Sequence, residues 1–444
     1  MAAAKPLTAC LGISSPGVKL HGAGFIVTPE EATRLGLGSQ PELAQRIRHY
    51  RNGRDLTQSP RGVMVIDLFG LRAEQVRDQF PAVYQHVLKR VKPERDAKVG
   101  TKDGAGYAAL WWLFGKPRQE LRKHIAGLPR YIATVETTKH RLFQFLDAAI
   151  LPDNMLINIA SADTLPLGVL SSRIHCAWAL AAGGRLGVGN DPRYNKTRCF
   201  ETFPFPAASP KQQEKIRDLA ERLDAHRKRQ QAQHPELTLT GLYNVLEKLR
   251  LEEPLTAKEK TTHEQGLISL LRELHDDLDR TVFAAYGWDD LAAQLVSKPG
   301  ATTPLPDKPE AQAEAEEELL RRLVALNAER AAEEARGLVR WLRPEYQNPD
   351  ATCAPEQTEA ELATATDLDA AIATAVPAGK LTWPKQMREQ VAAVRQALAQ
   401  GPLPTEAIAA QFKRSPKIAV QAVLGALEEL GMVQQEAGQY RLAS

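Results

Sequence analysis

Residues 190–206 gather groups suited to reading another molecule: Asn190, Asp191, Arg193, Tyr194, Asn195, Lys196 and Arg198, then Phe200, Phe203, Pro204, Phe205 and Pro206. They follow a Gly-rich turn, on a segment too irregular for one helix. Arg and Asn offer paired hydrogen-bonding groups that match guanine and adenine edges, and Lys favours phosphate oxygens. A second cluster, Thr137, Thr138, Lys139, His140 and Arg141, lies between two stretches of β character. Hydroxyls and cations on such a turn suit phosphates or base edges; a solvated hairpin end has the same composition, and the residues leave both readings open. Arg51 to Asp55 reads either as a turn offering Arg to phosphate or as a structural Arg–Asp pair. Tyr107, Trp111, Trp112 and Phe114 suit core packing better than a stacking platform for an unpaired base.

The charge is distributed to match. The net +3 combines a basic first half, with 28 Lys+Arg against 17 Asp+Glu in residues 1–210, and an acidic remainder, with 29 against 37. A basic half of this size favours a polyanion through counterion release. Other chemistries find no residues to carry them. The four cysteines (Cys10, Cys176, Cys199, Cys353) form no CxxC pair, which argues for a reducing compartment and against a zinc site. GxSxG, Walker and zincin patterns are lacking. Gly22-Ala23-Gly24-Phe25 precedes a β-type run rather than following one, so it is not read as a phosphate or nucleoside cradle. No apolar run reaches membrane-spanning length, and the N-terminal stretch has no signal-peptide core; the expected location is the cytoplasm, with no membrane partner.

The elements that must position these groups give an α+β class. Short β-type runs are expected at Phe25–Thr28, Val63–Leu68, Arg130–Val135 and Met155–Ile159, with helices at Glu74–Arg90 and Leu167–Ala182. Ser209 is an N-cap ahead of Pro210. Helices about Thr240–Arg250, Thr262–Tyr286 and Glu314–Trp341 follow. The expected organisation is a mixed α/β unit over 1–208, a helical region over 209–343 with a Pro-rich linker near 299–309, a loose connector over 344–380, and a winged-helix-like module over 381–444. In that module Lys413, Arg414 and Lys417 sit where a third helix enters DNA; a small packing module is the alternative.

Several stretches, in order, carry a resemblance: GISSPGVKLHGAGFIVT, HYRNGRDL, RGVMVIDLFGL, FPAVYQHVLKRVKPERD, LPRYIATVETTKHRLFQFLD, SSRIHCAWAL, RYNKTRCFETFPFP and LDRTVFAAYGWDDL. The chain resembles the MmeI-like class I DNA adenine methyltransferases, including the DISARM-type enzymes of phage defence. The matching segments are those of the target recognition domain and the helical C-terminal region. The resemblance implies recognition of double-stranded DNA in a restriction-modification or phage-defence system. Base or phosphate contact is implied for Thr138, Lys139, His140, Arg141, Asn190, Arg193, Tyr194, Asn195 and Lys196. The S-adenosylmethionine loop and the Asn-Pro-Pro-aromatic motif of the family have no counterpart in these residues. The expectation is therefore a specificity part with no catalytic residue and no cofactor of its own. S-adenosylmethionine would belong to a catalytic domain or subunit acting as partner, with other defence proteins as further partners. A protein-interaction scaffold using the acidic helices and the tail is the alternative from a different class.

Overall fold

The computed structural model describes residues 4–186, 191–349, 383–384, 387–398, 401–413, 416–429, 433–436 and 439–442. The chain divides into two units, residues 1–356 and 357–444.

Two small sheets organise the first unit. One is antiparallel, in the order β1 (Ser14–Pro16), β8 (Leu156–Ile159), β5 (Arg130–Val135), β6 (Gln144–Asp147). The other runs β2 (Ile26–Val27), β4 (Met64–Ile66), β3 (Ile47–Arg51), β7 (Leu151–Pro152), with only the last pair parallel. The second sheet has its own core, which takes in Phe25, Trp111 and Phe114, with Trp112 packed against it; these three members of the aromatic group, Trp111, Trp112 and Phe114, are packing material. Strand β5 is buried along nearly its whole length, so its Tyr131, Ile132 and Val135 read as a continuous apolar run instead of alternating.

The core of the antiparallel sheet does not stop at the expected boundary at residue 208. It continues through Ile216, Leu219, Leu246, Leu278, Leu319 and Leu323 of the helical region. The first helix of that region, Pro210–Gln233, starts as its sequence dictates. Ser209 and Gln212 form a reciprocal capping box with Pro210 at the first helical position.

Three long helical patterns are broken in two. Glu74–Arg90 divides at Phe80, where Pro81 starts a second helix. Leu167–Ala182 divides at Ser172, whose extended backbone separates Thr164–Ser171 from Arg173–Ala182. The third divides at Leu267, left-handed at φ 45°, between Ala257–Gly266 and Ile268–Tyr286. Residues 299–309 are not a free linker: Ala301 and Thr302 are buried.

The second unit holds helices Met387–Leu398, Thr405–Ala410 and Lys417–Glu429 and a hairpin of Val433–Glu436 with Gln439–Leu442. Val394, Leu398, Ile408, Phe412, Val420, Leu424 and Tyr440 make its core. Lys413 is exposed and Lys417 faces Glu406 at 4.0 Å, while Arg414 lies outside the described residues.

Candidate nucleic-acid interface

Strand β5 leaves the sheet at Glu136 and returns to it at β6, and residues 136–143 make the connection. The helix Arg173–Ala182 leads into a second projection, the hairpin of β9 (Gly184–Leu186) with β10 (Asp191–Arg193). The neck of this hairpin needs glycine: a Cβ on Gly183 would lie 2.3 Å from the Arg193 carbonyl oxygen. Residues 184–186 are all exposed.

The two projections are joined edge to edge. Thr137 bridges Arg193, the Thr138 amide donates to the Pro192 carbonyl at 3.3 Å, and the Tyr194 amide donates to the Glu136 carbonyl at 2.6 Å. Thus the structure brings together the two clusters that sequence alone left separate.

The individual residues fall into two groups. Thr138, Lys139 and Arg193 lie on the outer side. Lys139 Nζ donates to Asn244 Oδ1 at 2.7 Å, a neutral partner that leaves its charge uncompensated. Arg193 is 44% exposed and pairs with Glu136 at 2.6 Å. Asn190 lies outside the described residues.

The rest are bound into the framework, and for His140, Arg141 and Tyr194 the expectation of DNA contact does not fit their buried positions. His140 and Arg141 are each 2% exposed and Tyr194 1%. The Arg141 guanidinium is spent on Thr134 Oγ1 at 3.0 Å and on the carbonyls of Val135, Glu136 and Pro192, beside the Tyr194 ring. The Tyr194 hydroxyl lies 3.0 Å from His175 Nε2, and burial raises its pKa well above the usual phenol value. His140 Nδ1 meets Thr302 Oγ1 at 2.9 Å and its Nε2 meets Asn244 Oδ1 at 3.0 Å. Burial pushes the His140 pKa down to about 4, so the ring is neutral near pH 7. Asn195 caps the turn at 196–200 by accepting from the Thr197 amide at 3.0 Å, and Lys196 is ion-paired with the buried Glu201. Each of these polar groups has an internal partner, Arg141 across the two projections, His140 on the helical region, and Asn195 and Lys196 close by in sequence.

Cations with a weaker signal in the sequence border the same surface. The Asp153 amide donates to the Arg51 carbonyl and the Glu136 amide to the Met155 carbonyl, which sets Arg51 beside the turn. Gly53 packs on Val135, where an added Cβ would lie 2.9 Å from a methyl group. Asp55 is taken by Arg61, through bonds of 3.0 and 2.8 Å, so the Arg–Asp pair of this motif is structural but uses Arg61. Among the described residues, no carboxylate pairs with Arg51, Arg54, Arg185 or Arg198, and the last three are exposed. Glu136 carries no signal in the sequence; its place opposite Arg193 depends on a bridge spanning 57 positions.

The Gly22–Phe25 segment packs closely against its neighbours. It is a 3₁₀ turn, and a Cβ on Gly24 would lie 2.7 Å from the Arg90 backbone, so the loop is filled by protein. No group of metal-binding side chains occurs among the described residues. No helix among them is long and apolar enough to cross a membrane.

This geometry can be set beside known proteins. Residues 3–207 match the family model described as MmeI, target recognition domain. Residues 3–207 form an MmeI-type target recognition domain. The fold is also that of the solved structure of the Type IIL restriction-modification enzyme MmeI in complex with DNA. The likeness covers 74% of this chain and 37% of that one, with TM-score 0.52 and 20% identity. A stretch of 65 residues is 37% identical to DNA methyltransferase A of Bacillus subtilis (strain 168), or 15% of this chain and 7% of that protein. The chain therefore spans well under half the length of these relatives. The shared fold extends past the target recognition domain into the helices that complete its core.

Proposed function

We propose that this chain reads the sequence of double-stranded DNA as the specificity part of a restriction-modification enzyme. The observation that carries the proposal is the joined pair of turns. Thr138, Lys139 and the Arg193–Glu136 pair share one surface bordered by uncompensated arginines. Lys139 and Arg54 suit phosphate oxygens, where charge and reach suffice. Arg193 can exchange Glu136 for the O6 and N7 of guanine, and Glu136 can accept from the amino group of cytosine. His140, Arg141 and Tyr194 then act beneath the surface by fixing its shape. Asn190 is proposed as a further base contact.

The finer reading is that the methylated base is adenine, at N6, and that the setting is phage defence of the DISARM type; the ordered sequence segments support it. Methyl transfer would be supplied by a domain or subunit that binds S-adenosylmethionine, and no residue described in this chain takes a step in it. Electrophoretic mobility shift with duplex DNA, alone and with a catalytic partner, tests the proposal. Binding that weakens steeply with salt is expected. Absence of binding at low salt in both conditions rejects it.

A further inference from the structure

The recognition turn is gripped from outside the matched recognition domain. Lys139 Nζ carries only protons, so the Asn244 amide atom facing it at 2.7 Å must be the oxygen. The same oxygen lies 3.0 Å from His140 Nε2, and an oxygen accepts; Nε2 therefore carries the ring proton. His140 Nδ1 is then an acceptor, and the Thr302 hydroxyl at 2.9 Å donates to it. The Thr302 carbonyl also accepts from the Arg141 amide at 2.7 Å. Three consecutive turn residues, 139 to 141, are thus bound by two residues of the helical region. Asn244 stands on the helix Leu239–Arg250, whose Thr240 hydroxyl donates to the Thr57 carbonyl at 3.3 Å, at the end of the turn that bears Arg54.

We propose that Asn244 and Thr302 are positioning residues for base discrimination: they fix the tautomer and place of His140, and through it the aim of Lys139 and Thr138. The inference rests on the DNA-reading function proposed above. It assigns part of the specificity to residues beyond 207, where the family model ends. A ring with one defined partner on each nitrogen has one orientation. An oxygen shared by the ring N–H and the ammonium ties the exposed cation to that orientation.

The test is selection of the full chain on a randomised duplex library, followed by sequencing, with Asn244→Leu, Asn244→Asp and Thr302→Val beside the wild type. Asn244→Leu removes the shared acceptor. Its preference for the selected duplex over a scrambled one is expected to fall on the order of tenfold, the scale of one base contact that is no longer aligned. Its salt dependence on scrambled DNA should stay within about one charge of wild type. Asn244→Asp keeps an acceptor oxygen and should keep the motif. Nitrogen-15 NMR should show a proton on His140 Nε2 in wild type. Where Asn244→Leu melts without cooperativity, Thr302→Val carries the same comparison, since it replaces only a hydroxyl by a methyl group. A motif and preference unchanged in Asn244→Leu, or a proton on Nδ1 in the wild type, overturns the positioning role alone. A wild-type chain that enriches no motif rejects the DNA-reading function and this inference with it.

Discussion

The Arg141 guanidinium donates to the Pro192 carbonyl at 3.1 Å, and this bond joins two turns that lie 51 positions apart in sequence. An arginine that is 2% exposed and binds four acceptors, two at the end of β5 and one on each turn, is a weld, not a ligand for DNA. Lysine cannot satisfy these acceptors, because it lacks the planar fork. Arg141→Lys is expected to destabilise the first unit by about 3 kcal/mol, the scale for disrupting a buried charge network. It should weaken binding to all duplexes alike, with no change in salt slope. Chemical denaturation and fluorescence anisotropy check this. A variant as stable as wild type shows that the weld is dispensable.

Exposure and pairing rank the cations for phosphate contact. Lys139 has a neutral partner and Arg54 none among the described residues, whereas Lys196 is held by Glu201. Removing one cation from a phosphate lowers the slope of log K against log salt by about 0.9. Lys139→Ala and Arg54→Ala should each flatten the slope by about that amount, and Lys196→Ala by clearly less. If Lys196→Ala has the largest effect, the ion pair with Glu201 opens on binding. If none of the three alters the slope, the acidic-helix scaffold becomes the better account of the chain.

What could be read from the sequence follows the range of the interactions. The cap at Ser209, the buried run of β5 and the existence of both polar clusters depend on neighbours in the chain, and they were legible. Which cluster members point outward was not. His140 is buried by Thr302, 162 positions away, and by Asn244, 104 positions away. No local pattern distinguishes it from the exposed Lys139 beside it. The break at Phe80 had a signal in Pro81; those at Ser172 and Leu267 had none, because packing of the flanking helices sets those backbone angles. The continuation of the core through residues 299–309 and the helices was hidden by a Pro-rich composition that also suits a free linker.

Buried histidines make the fold sensitive to acid. Burial lowers the pKa of His140 to about 4 and that of His175 to about 3, and it pushes His275 well down. Each has a free-chain value near 6.5, so the unfolded state takes up protons first as pH falls. The stability these rings contribute is complete above about pH 6.5 and is lost between there and their folded values. For His140 alone the loss is roughly 3 kcal/mol, at about 1.36 kcal/mol per pKa unit. Asp279 runs the other way, since burial raises it to about 6 and acid relieves that penalty. The histidines outnumber it, so Tm should fall steadily from pH 7 to pH 4.5. A Tm that holds or rises over that range means that these rings are hydrated or charged in the folded protein.

Arg193 and Glu136 make the sharpest test of where specificity lies. Their pairing at 2.6 Å leaves Arg193 44% exposed, so its contribution to folding is small while its guanidinium stays within reach of a partner. Arg193→Ala is therefore expected to leave the melting temperature near that of wild type. A bidentate contact from arginine to guanine is worth about 1–3 kcal/mol of discrimination. Removing it should relax preference at a single base pair of the selected motif and leave the other positions intact. Glu136→Gln keeps the shape and loses the charge, so Arg193 loses its ion-pair partner. That variant should retain affinity and shift preference at the same base pair. Motif selection with both variants settles the point. Uniform loss across all positions would assign Arg193 to phosphate contact, and loss at two separate positions would divide the pair between different base pairs.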